Sequence, residues 1–203
     1  MKIAVLGAGN IGGTMGKKWA AAGHEVVFGV RDVTSPKVTV LSQELGKNGR
    51  IDTIANALAF GKVVLVAIPH NVVAAIVTAH AEVLAGKIII DASNKFGAPV
   101  VNNLETIGQA VPTAGLFRAF NALGWEIFAN PQFGDVQVDH FYCGPDDEKR
   151  PLVEQLIAEV GVRPVWVGGL ETAPVVDALG TLWVTLAFRQ GWGRSIAFKM
   201  LER

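Results

Sequence analysis

The sequence predicts an α/β protein with a doubly wound, mostly parallel sheet and a helical C-terminal segment. Half of the residues are hydrophobic and the mean hydropathy is +0.36. Such values are typical of strands that covering helices bury on both faces. Short β-branched runs also alternate with helix-like stretches along the chain. With 203 residues, the chain is long enough for one large domain, or for one domain with a small appendage, but not for two full-sized domains.

The order of the predicted elements requires right-handed crossovers between parallel strands. Ser35 is placed to cap the second helix, and Pro36 suits its first turn. The predicted strands cover residues 3–6, 25–30, 63–68, 87–91, 116–120, 140–143 and 164–167. The predicted helices cover residues 11–22, 36–46, 70 to about 84 and about 147–159.

A long apolar segment follows Gly168 and Gly169, over residues 172–201. It carries Trp183, Phe188 and Trp192. One interpretation is a helix that packs back on the sheet, and the other is a helical dimer surface. We therefore divide the chain at residues 1–169 and 170–203, and we expect a homodimer.

The charge balance argues against several classes of partner. Lys and Arg number 18, as do Asp and Glu, and the pI is near 6.9. Because no basic stripe is present, we expect neither nucleic acid nor an anionic membrane as a partner. The best candidate for a membrane span, residues 173–188, is too short and contains Asp177. A cytoplasmic location is the natural expectation.

A single cysteine, Cys143, excludes an internal disulfide and a cysteine metal cluster. Its place in an apolar run predicts a buried small hydrophobe. No metal site is predicted.

The chemistry is clearest in a glycine-rich loop after the first strand. Gly7, Ala8, Gly9, Asn10, Ile11 and Gly12 match GxGxxG and open a helix. Gly7 makes the tight turn, Gly9 admits a diphosphate close to the backbone, and Gly12 allows close helix packing. The diphosphate would lie at the positive end of the helix. Residues 1–169 are thus predicted to form a Rossmann-type NAD(P)-binding domain.

The end of the second predicted strand distinguishes NADP from NAD. Asp32 has the spacing of an acid that holds the ribose 2′-hydroxyl, so the pattern is mixed. Arg31 precedes it, and Thr34, Ser35 and Lys37 add hydroxyls and charge suited to a 2′-phosphate. This chemistry favours NADP (NADPH).

Ligands of such sheets lie beyond the carboxyl ends of the strands. His70 is more consistent with a cofactor contact or an exposed loop residue than with an acid–base group. Asn94 and Asn121 are candidates to orient a carboxamide or substrate, or to cap turns. No catalytic residue is identified. The three segments at these strand ends contain Ala67, Ile68, Pro69 and His70; Asp91 to Asn94; and Arg118 to Asn121.

Five pieces spread along the chain resemble the NADP-dependent oxidoreductases typified by F420H2:NADP oxidoreductase. The dinucleotide domain of that family is shared with 6-phosphogluconate dehydrogenase, pyrroline-5-carboxylate reductase and the STEAP metalloreductases. This spread makes the resemblance more specific than the glycine loop alone. The pieces are residues 7–12, 23–31, 66–69, 119–121 and 142–146.

The resemblance implies NADP contacts at Ala8, Gly9, Asn10 and Ile11 for the diphosphate, and at Val30, Arg31 and Ser35 around the 2′-phosphate. It implies that Ile68 and Ala119 flank the nicotinamide. It also implies that strands after Phe120 extend the sheet, and that the final helices cover a pocket for a flat acceptor, F420 or a flavin (FMN or FAD).

Three hypotheses for the function stay open at this point. The first is hydride transfer between NADPH and a flavin-like small-molecule acceptor. The second is a dehydrogenase or imine reductase of a small metabolite, and the third is a non-catalytic NADP(H)-binding sensor module.

Overall fold

A six-stranded parallel sheet forms the centre of the molecule. The computed structural model describes residues 1–203, the side chain of Lys37 excepted. The strands of this sheet are β1 (Lys2–Leu6), β2 (Glu25–Val30), β3 (Gly49–Thr53), β4 (Val63–Val66), β5 (Ile88–Asp91) and β6 (Gly115–Arg118). Their spatial order is β3-β2-β1-β4-β5-β6, and every neighbouring pair is parallel. The predicted doubly wound Rossmann topology is confirmed.

Helices cover both faces of the sheet. They are α1 (Asn10–Ala21), α2 (Pro36–Glu44), α3 (Ile54–Phe60), α4 (His70–Ala79), α5 (Ala81–Leu84), α6 (Leu104–Ala110), α7 (Trp125–Ala129) and α8 (Arg150–Glu159). Alternate residues of β1 belong to different cores: Ile3 and Val5 pack on the side of α1 and α8, whereas Ala4 and Leu6 pack on the side of α3 and α4. Because both faces of such a strand are buried, every residue in it is apolar, and the strand appears in the sequence as a continuous hydrophobic run.

Two smaller two-stranded sheets follow β6, and one of them is joined to β6 by an antiparallel bridge. A short antiparallel hairpin, β7 (Gln132–Phe133) and β8 (Val136–Gln137), precedes a parallel pair, β9 (Asp139–Tyr142) and β10 (Arg163–Trp166). Arg118 and Cys143 exchange two antiparallel backbone hydrogen bonds of 2.8 and 3.1 Å, which attach β9 to β6. The sheet is therefore mostly parallel, as expected.

The C-terminal segment is helical for about half of its length. A 3-10 turn (Leu170–Thr172) leads into α9 (Ala173–Val184), and a π-helical turn (Thr185–Arg189) ends the helix. Residues 190–203 have no regular secondary structure, so the helix is shorter than the apolar run. Gly191 and Gly193 explain the difference, because both adopt left-handed backbone (φ 74° and 75°) that terminates helices.

Helix α9 crosses from one face of the sheet to the other. Ala173 and Val176 belong to the core on the side of α3 and α4, whereas Trp183 of α9 and Ala187 of the π-helical turn belong to the core on the side of α1. This crossing brings the C-terminal segment to the carboxyl end of β6. Within the described residues, no helix combines the length and apolar character needed to cross a membrane.

Strand β3 and helix α3, which together cover residues 49–60, were not predicted from the sequence. Strand β3 is an edge strand without a fully buried residue, and only two residues of α3, Ala57 and Leu58, are buried. Such an edge strand lacks the apolar run that identified the central strands.

Candidate functional site

The glycine loop folds tightly between β1, β4 and α1. Gly7 has φ +98°, and a Cβ at this residue would lie 2.5 Å from the carbonyl oxygen of Ala67. A Cβ at Gly12 would lie 2.2 Å from the carbonyl oxygen of Gly7. No side chain fits at either position without displacing the backbone, so the loop and the first turn of α1 are in direct contact.

Gly9, by contrast, faces open space. A Cβ at Gly9 would meet no protein atom within 4 Å. Gly9 is the N-cap of α1, whose first turn contains no acidic residue. The first N–H groups of a helix have no partners within the helix and carry its positive dipole end. Ala8, Gly9, Asn10 and Ile11 therefore fit the diphosphate of a dinucleotide, with room for close backbone approach.

The turn after β2 holds the residues predicted to recognise the 2′-phosphate. Val30 is buried at the end of the strand, whereas Arg31 is exposed. The carboxylate of Asp32 accepts hydrogen bonds from the hydroxyl (2.6 Å) and the backbone N–H (2.9 Å) of Thr34, which lower the pKa of Asp32. Asp32 is thus engaged in its own turn, leaving Arg31 as the exposed side chain suited to a phosphate.

Two further candidates from the sequence lie in the same turn. Ser35 is the N-cap of α2, yet its side chain makes no capping hydrogen bond. Its hydroxyl is consequently not committed to the helix. The side chain of Lys37 lies outside the described residues.

The end of β4 borders the glycine loop. The N–H of Ala67 donates to the carbonyl of Leu6 (3.0 Å), and the Ile68 side chain would contact a Cβ at Gly7 at 3.1 Å. Pro69 caps α4, and His70 is its exposed first residue. His70 therefore lies at a helix N-terminus beside the loop, a position that suits a cofactor contact.

A cleft of about 330 Å³ opens beside the first turn of α1, at the carboxyl ends of β5 and β6. Of the predicted site residues, Asn10, Ile11, Asn94 and Asn121 line it, whereas Ile68 does not and Ala119 is fully buried. The rest of its lining includes five aromatic side chains and comes from the segments after β5 and β6 and from the C-terminal segment. These lining residues include Phe120, Asn121, Trp125, Trp183, Phe188 and Arg194.

Phe120 adopts a strained backbone at the floor of the cleft. Its φ is +60°, which is rare for a bulky residue. The Phe120 N–H donates to His140 Nε2 at 2.7 Å, and the two rings stack with centroids 5.0 Å apart. Burial lowers the pKa of His140 to about 3, so the imidazole is neutral and Nε2 can accept this hydrogen bond. Backbone strain of this kind is typical of functional sites.

A buried charge network lies under the same strand ends. Arg118 on β6 is completely buried and donates to Asp177 of α9 (2.7 and 2.8 Å) and to Asp91 of β5 (3.3 Å). It also donates to Asn94 Oδ1 at 2.6 Å. Sequence reasoning did not identify this network. The available signal was the presence of Asp91 and Arg118 at the ends of otherwise apolar strands.

The irregular C-terminal residues form the outer wall of the cleft. The Arg194 guanidinium binds both carboxylate oxygens of Glu126 and lies 5.5 Å from the ring centroid of Trp183 and 5.3 Å from that of Phe188. Trp183 Nε1 donates to the Ile196 carbonyl at 2.8 Å. Burial raises the pKa of Glu126, but the hydrogen bonds from Arg194 outweigh burial and lower it. The ionised carboxylate of Glu126 therefore serves to hold Arg194 in place.

Cys143 is buried, as expected, and burial raises the pKa of its thiol to about 11. A thiol of this pKa is unreactive at neutral pH. Throughout the described part of the chain, no group of three or more His, Cys, Asp or Glu side chains is placed to hold a metal ion.

Comparisons with known proteins agree with this architecture. Residues 2–95 match the family described as NADP oxidoreductase, coenzyme F420-dependent. The chain is 27% identical over 184 residues to the metalloreductase STEAP3 of Rattus norvegicus, covering 88% of this chain and 36% of STEAP3. It therefore spans little more than a third of that relative.

Two further comparisons cover the full chain or nearly so. The F420-dependent NADP reductase of Methanothermobacter marburgensis is 27% identical over 207 residues, covering 92% of each chain. A crystal structure from Arthrobacter sp. FB24, assigned as an F420-dependent NADP reductase, superposes with a TM-score of 0.83 at 28% identity over all of both chains.

Proposed function

We propose that the chain is an NADP-dependent oxidoreductase that transfers a hydride between NADPH and a flat, flavin-like acceptor, F420 or a flavin such as FMN or FAD. Its similarity to the coenzyme F420-dependent NADP oxidoreductases supports this proposal. The observation that carries this proposal is the aromatic cleft beside the first turn of α1.

The chemistry of the cleft lining favours a planar ring. Phe120, Trp125, Trp183 and Phe188 present apolar aromatic surface around about 330 Å³. Aromatic faces and edges pack well against a conjugated ring, and the volume is of the order expected for a small-molecule site. Asn10 and Ile11 belong both to this lining and to the first turn of α1, so a ring in the cleft would lie next to the dinucleotide.

The residues that would hold the dinucleotide follow from the loop geometry. Ala8 to Ile11 would bind the diphosphate, Arg31 and Ser35 would bind the 2′-phosphate, and the exposed His70 borders the loop. Bound NADPH supplies the hydride, so the protein contributes binding, orientation and exclusion of water.

The charged groups at the cleft support hydride transfer rather than acid–base chemistry. Arg194 and Glu126 are paired with each other by two hydrogen bonds. Hydride transfer between two rings depends mainly on distance and alignment, for which no titrating side chain is required.

The test is to mix the purified protein with NADPH and, separately, with F420, FMN or FAD, and to follow the nicotinamide absorbance. We expect oxidation of NADPH with at least one of the three acceptors, and much slower oxidation with NADH. Binding of NADPH without turnover in any of the mixtures would contradict the proposal and favour the non-catalytic sensor hypothesis.

A further inference from the structure

We propose that the guanidinium of Arg194 binds a phosphate group on the side chain of the acceptor, at the mouth of the cleft. The acceptor would then be a phosphorylated ring compound rather than an uncharged one such as riboflavin. This inference rests on the proposed function, because it takes the cleft to be the acceptor site. FMN and FAD offer this chemistry as phosphate esters, and F420 offers it as a phosphodiester.

Arg194 supplies the charge in the wall of the cleft. Among the described residues that line the cleft, all except Arg194 are apolar or uncharged. The guanidinium carbon lies 5.5 Å from the ring centroid of Trp183 and 5.3 Å from that of Phe188, and both rings belong to the same lining. The Arg194 side chain is 40% exposed, whereas Trp183 and Phe120 are almost completely buried. The guanidinium therefore lies at the solvent-accessible mouth of the cleft.

Glu126 occupies only one edge of the guanidinium. Nε and Nη2 of Arg194 each donate to a carboxylate oxygen of Glu126. A guanidinium carries five N–H groups, so both N–H groups of Nη1 and the second one of Nη2 stay available to a ligand. Together they form a second edge whose fork matches two oxygens of a phosphate. Because Glu126 offsets the charge of Arg194, the attraction comes from these directed N–H groups.

Arg194 is held in place before a ligand binds. The carboxylate of Glu126 is closely packed, since a Cβ at Gly124 would lie 2.7 Å from Glu126 Oε2 and 2.8 Å from the Trp183 ring. Trp183 Nε1 donates to the carbonyl of Ile196 at 2.8 Å, which fixes the chain two residues beyond Arg194. A side chain that is already ordered loses less conformational entropy on binding. The guanidinium is thus preorganised for a ligand.

The charge beneath the cleft sets the direction of the acceptor. Two buried carboxylates, Asp91 and Asp177, share the single guanidinium of Arg118 under the strand ends. This excess of negative charge disfavours a phosphate at the floor. The cleft, at about 330 Å³, is near the lower end of the range for small-molecule sites. A ring would therefore fill the cleft, and its phosphorylated side chain would extend outward to Arg194.

Two pairs of ligands, titrated without turnover in the presence of NADP+, test the proposal. The first pair is FMN and riboflavin. The second pair is F420 and the deazaflavin that has the same ring and ribityl chain but no phosphate. We expect the wild-type protein to bind the phosphorylated member about tenfold to hundredfold more tightly in at least one pair, and that pair identifies the source of the phosphate. Equal or absent binding in both pairs would overturn the inference.

Arg194→Met should abolish this preference by weakening only the phosphorylated ligand, whereas Arg194→Lys should keep part of it. The matched control is Arg189→Met, which removes an exposed arginine of the π-helical turn that does not line the cleft. The control should keep the full preference. An equal loss of affinity for both members of a pair in Arg194→Met would mean that Arg194 only supports the wall, and would overturn the inference.

Two further readouts separate this inference from its neighbours. If Arg194→Met weakened NADP+ and left the preference between the ligands of a pair intact, Arg194 would serve the dinucleotide and the inference would be wrong. Preference for the phosphorylated ligand without any oxidation of NADPH would uphold the inference and contradict the proposed function. Turnover with equal KM values for both members of each pair would do the reverse.

Discussion

At the scale of single residues, Gly9 and Gly12 lie in the same loop but have opposite surroundings. A Cβ at Gly12 would lie 2.2 Å from a backbone oxygen, whereas a Cβ at Gly9 would meet nothing. We expect Gly12→Ala to lower the free energy of unfolding by about 2–3 kcal/mol. Gly9→Ala should lower it by no more than about 1 kcal/mol and should weaken NADPH binding at least about tenfold, because the methyl group occupies the diphosphate's space.

Urea unfolding and a fluorescence titration with NADPH measure the two effects of these glycine substitutions. If Gly9→Ala bound NADPH as tightly as the wild-type protein, the assignment of the diphosphate to this loop would be wrong.

The exposed Arg31 offers a test of cofactor selectivity. Loss of a charge-assisted hydrogen bond to the 2′-phosphate should raise the KM for NADPH about tenfold to hundredfold in Arg31→Ala, and should leave the KM for NADH unchanged. The matched control is Arg50→Ala, which removes an exposed arginine that lies over the ring of Phe60 instead. An equal rise of both KM values would argue against a phosphate contact.

His140 predicts a specific dependence of stability on pH. Its pKa is about 3 in the folded protein and about 6.5 when unperturbed, because burial disfavours the cation. Between these values only the unfolded chain binds the proton, so stability is complete above pH 6.5 and falls as the pH is lowered, by about 1.4 kcal/mol per pH unit. The buried Asp139 contributes mainly at lower pH than His140. Hydrogen bonds from Arg163, Lys199 and Met200 outweigh its burial and lower its pKa to about 2.

The variant His140→Gln isolates this contribution. Gln keeps an acceptor for the Phe120 N–H but does not titrate. Between about pH 7 and pH 5, the free energy of unfolding of the wild-type protein should fall by about 2 kcal/mol more than that of the variant. Parallel pH dependences of the two proteins would show that His140 takes up its proton in the folded protein over the same pH range as in the unfolded chain, which would contradict the prediction.

At the scale of elements, one buried arginine joins the strand ends to the C-terminal helix. Arg118→Met would leave Asp91 and Asp177 buried without a cation, and we expect it to lower the free energy of unfolding by about 3–5 kcal/mol. The comparison is Lys17→Met, which breaks the exposed ion pair with Glu44 and should cost less than about 1 kcal/mol. Similar losses in urea unfolding would mean that the Arg118 network contributes little.

The sequence predicted those elements whose own residues show a clear apolar pattern: a continuous run in a buried strand or a helical spacing in a helix. The central strands and helix α1 were predicted to within about two residues, because both faces of these strands are buried. Strand β3 was missed because it is a half-exposed edge. The predicted helix over residues 172–201 was too long because apolar character alone does not distinguish a helix from an irregular segment packed on an aromatic wall.

At the scale of the whole molecule, the expected homodimer stays a prediction. Val175 and Leu182 of α9 are 61% and 46% exposed and border an apolar groove of about 540 Å³. We expect sedimentation to give twice the 21.5 kDa chain mass, and Leu182→Glu to give the monomer. The control is Val40→Glu, at an apolar position of α2 that is 57% exposed. A wild-type monomer would contradict the prediction.

The sequence by itself determined the fold and the dinucleotide loop, because both depend on local order: apolar strands alternating with helices, and glycines at fixed spacing between one strand and one helix. It also indicated Arg31, since the end of β2 is close to the loop in the chain. The tertiary structure decided the rest. The crossing of α9, the burial of Arg118 between two carboxylates, the strained Phe120 on His140, and the aromatic cleft all depend on contacts between residues far apart in the sequence. Such contacts leave no periodic pattern in the chain, so they became visible only when the sheet, α9 and the C-terminal residues were placed together.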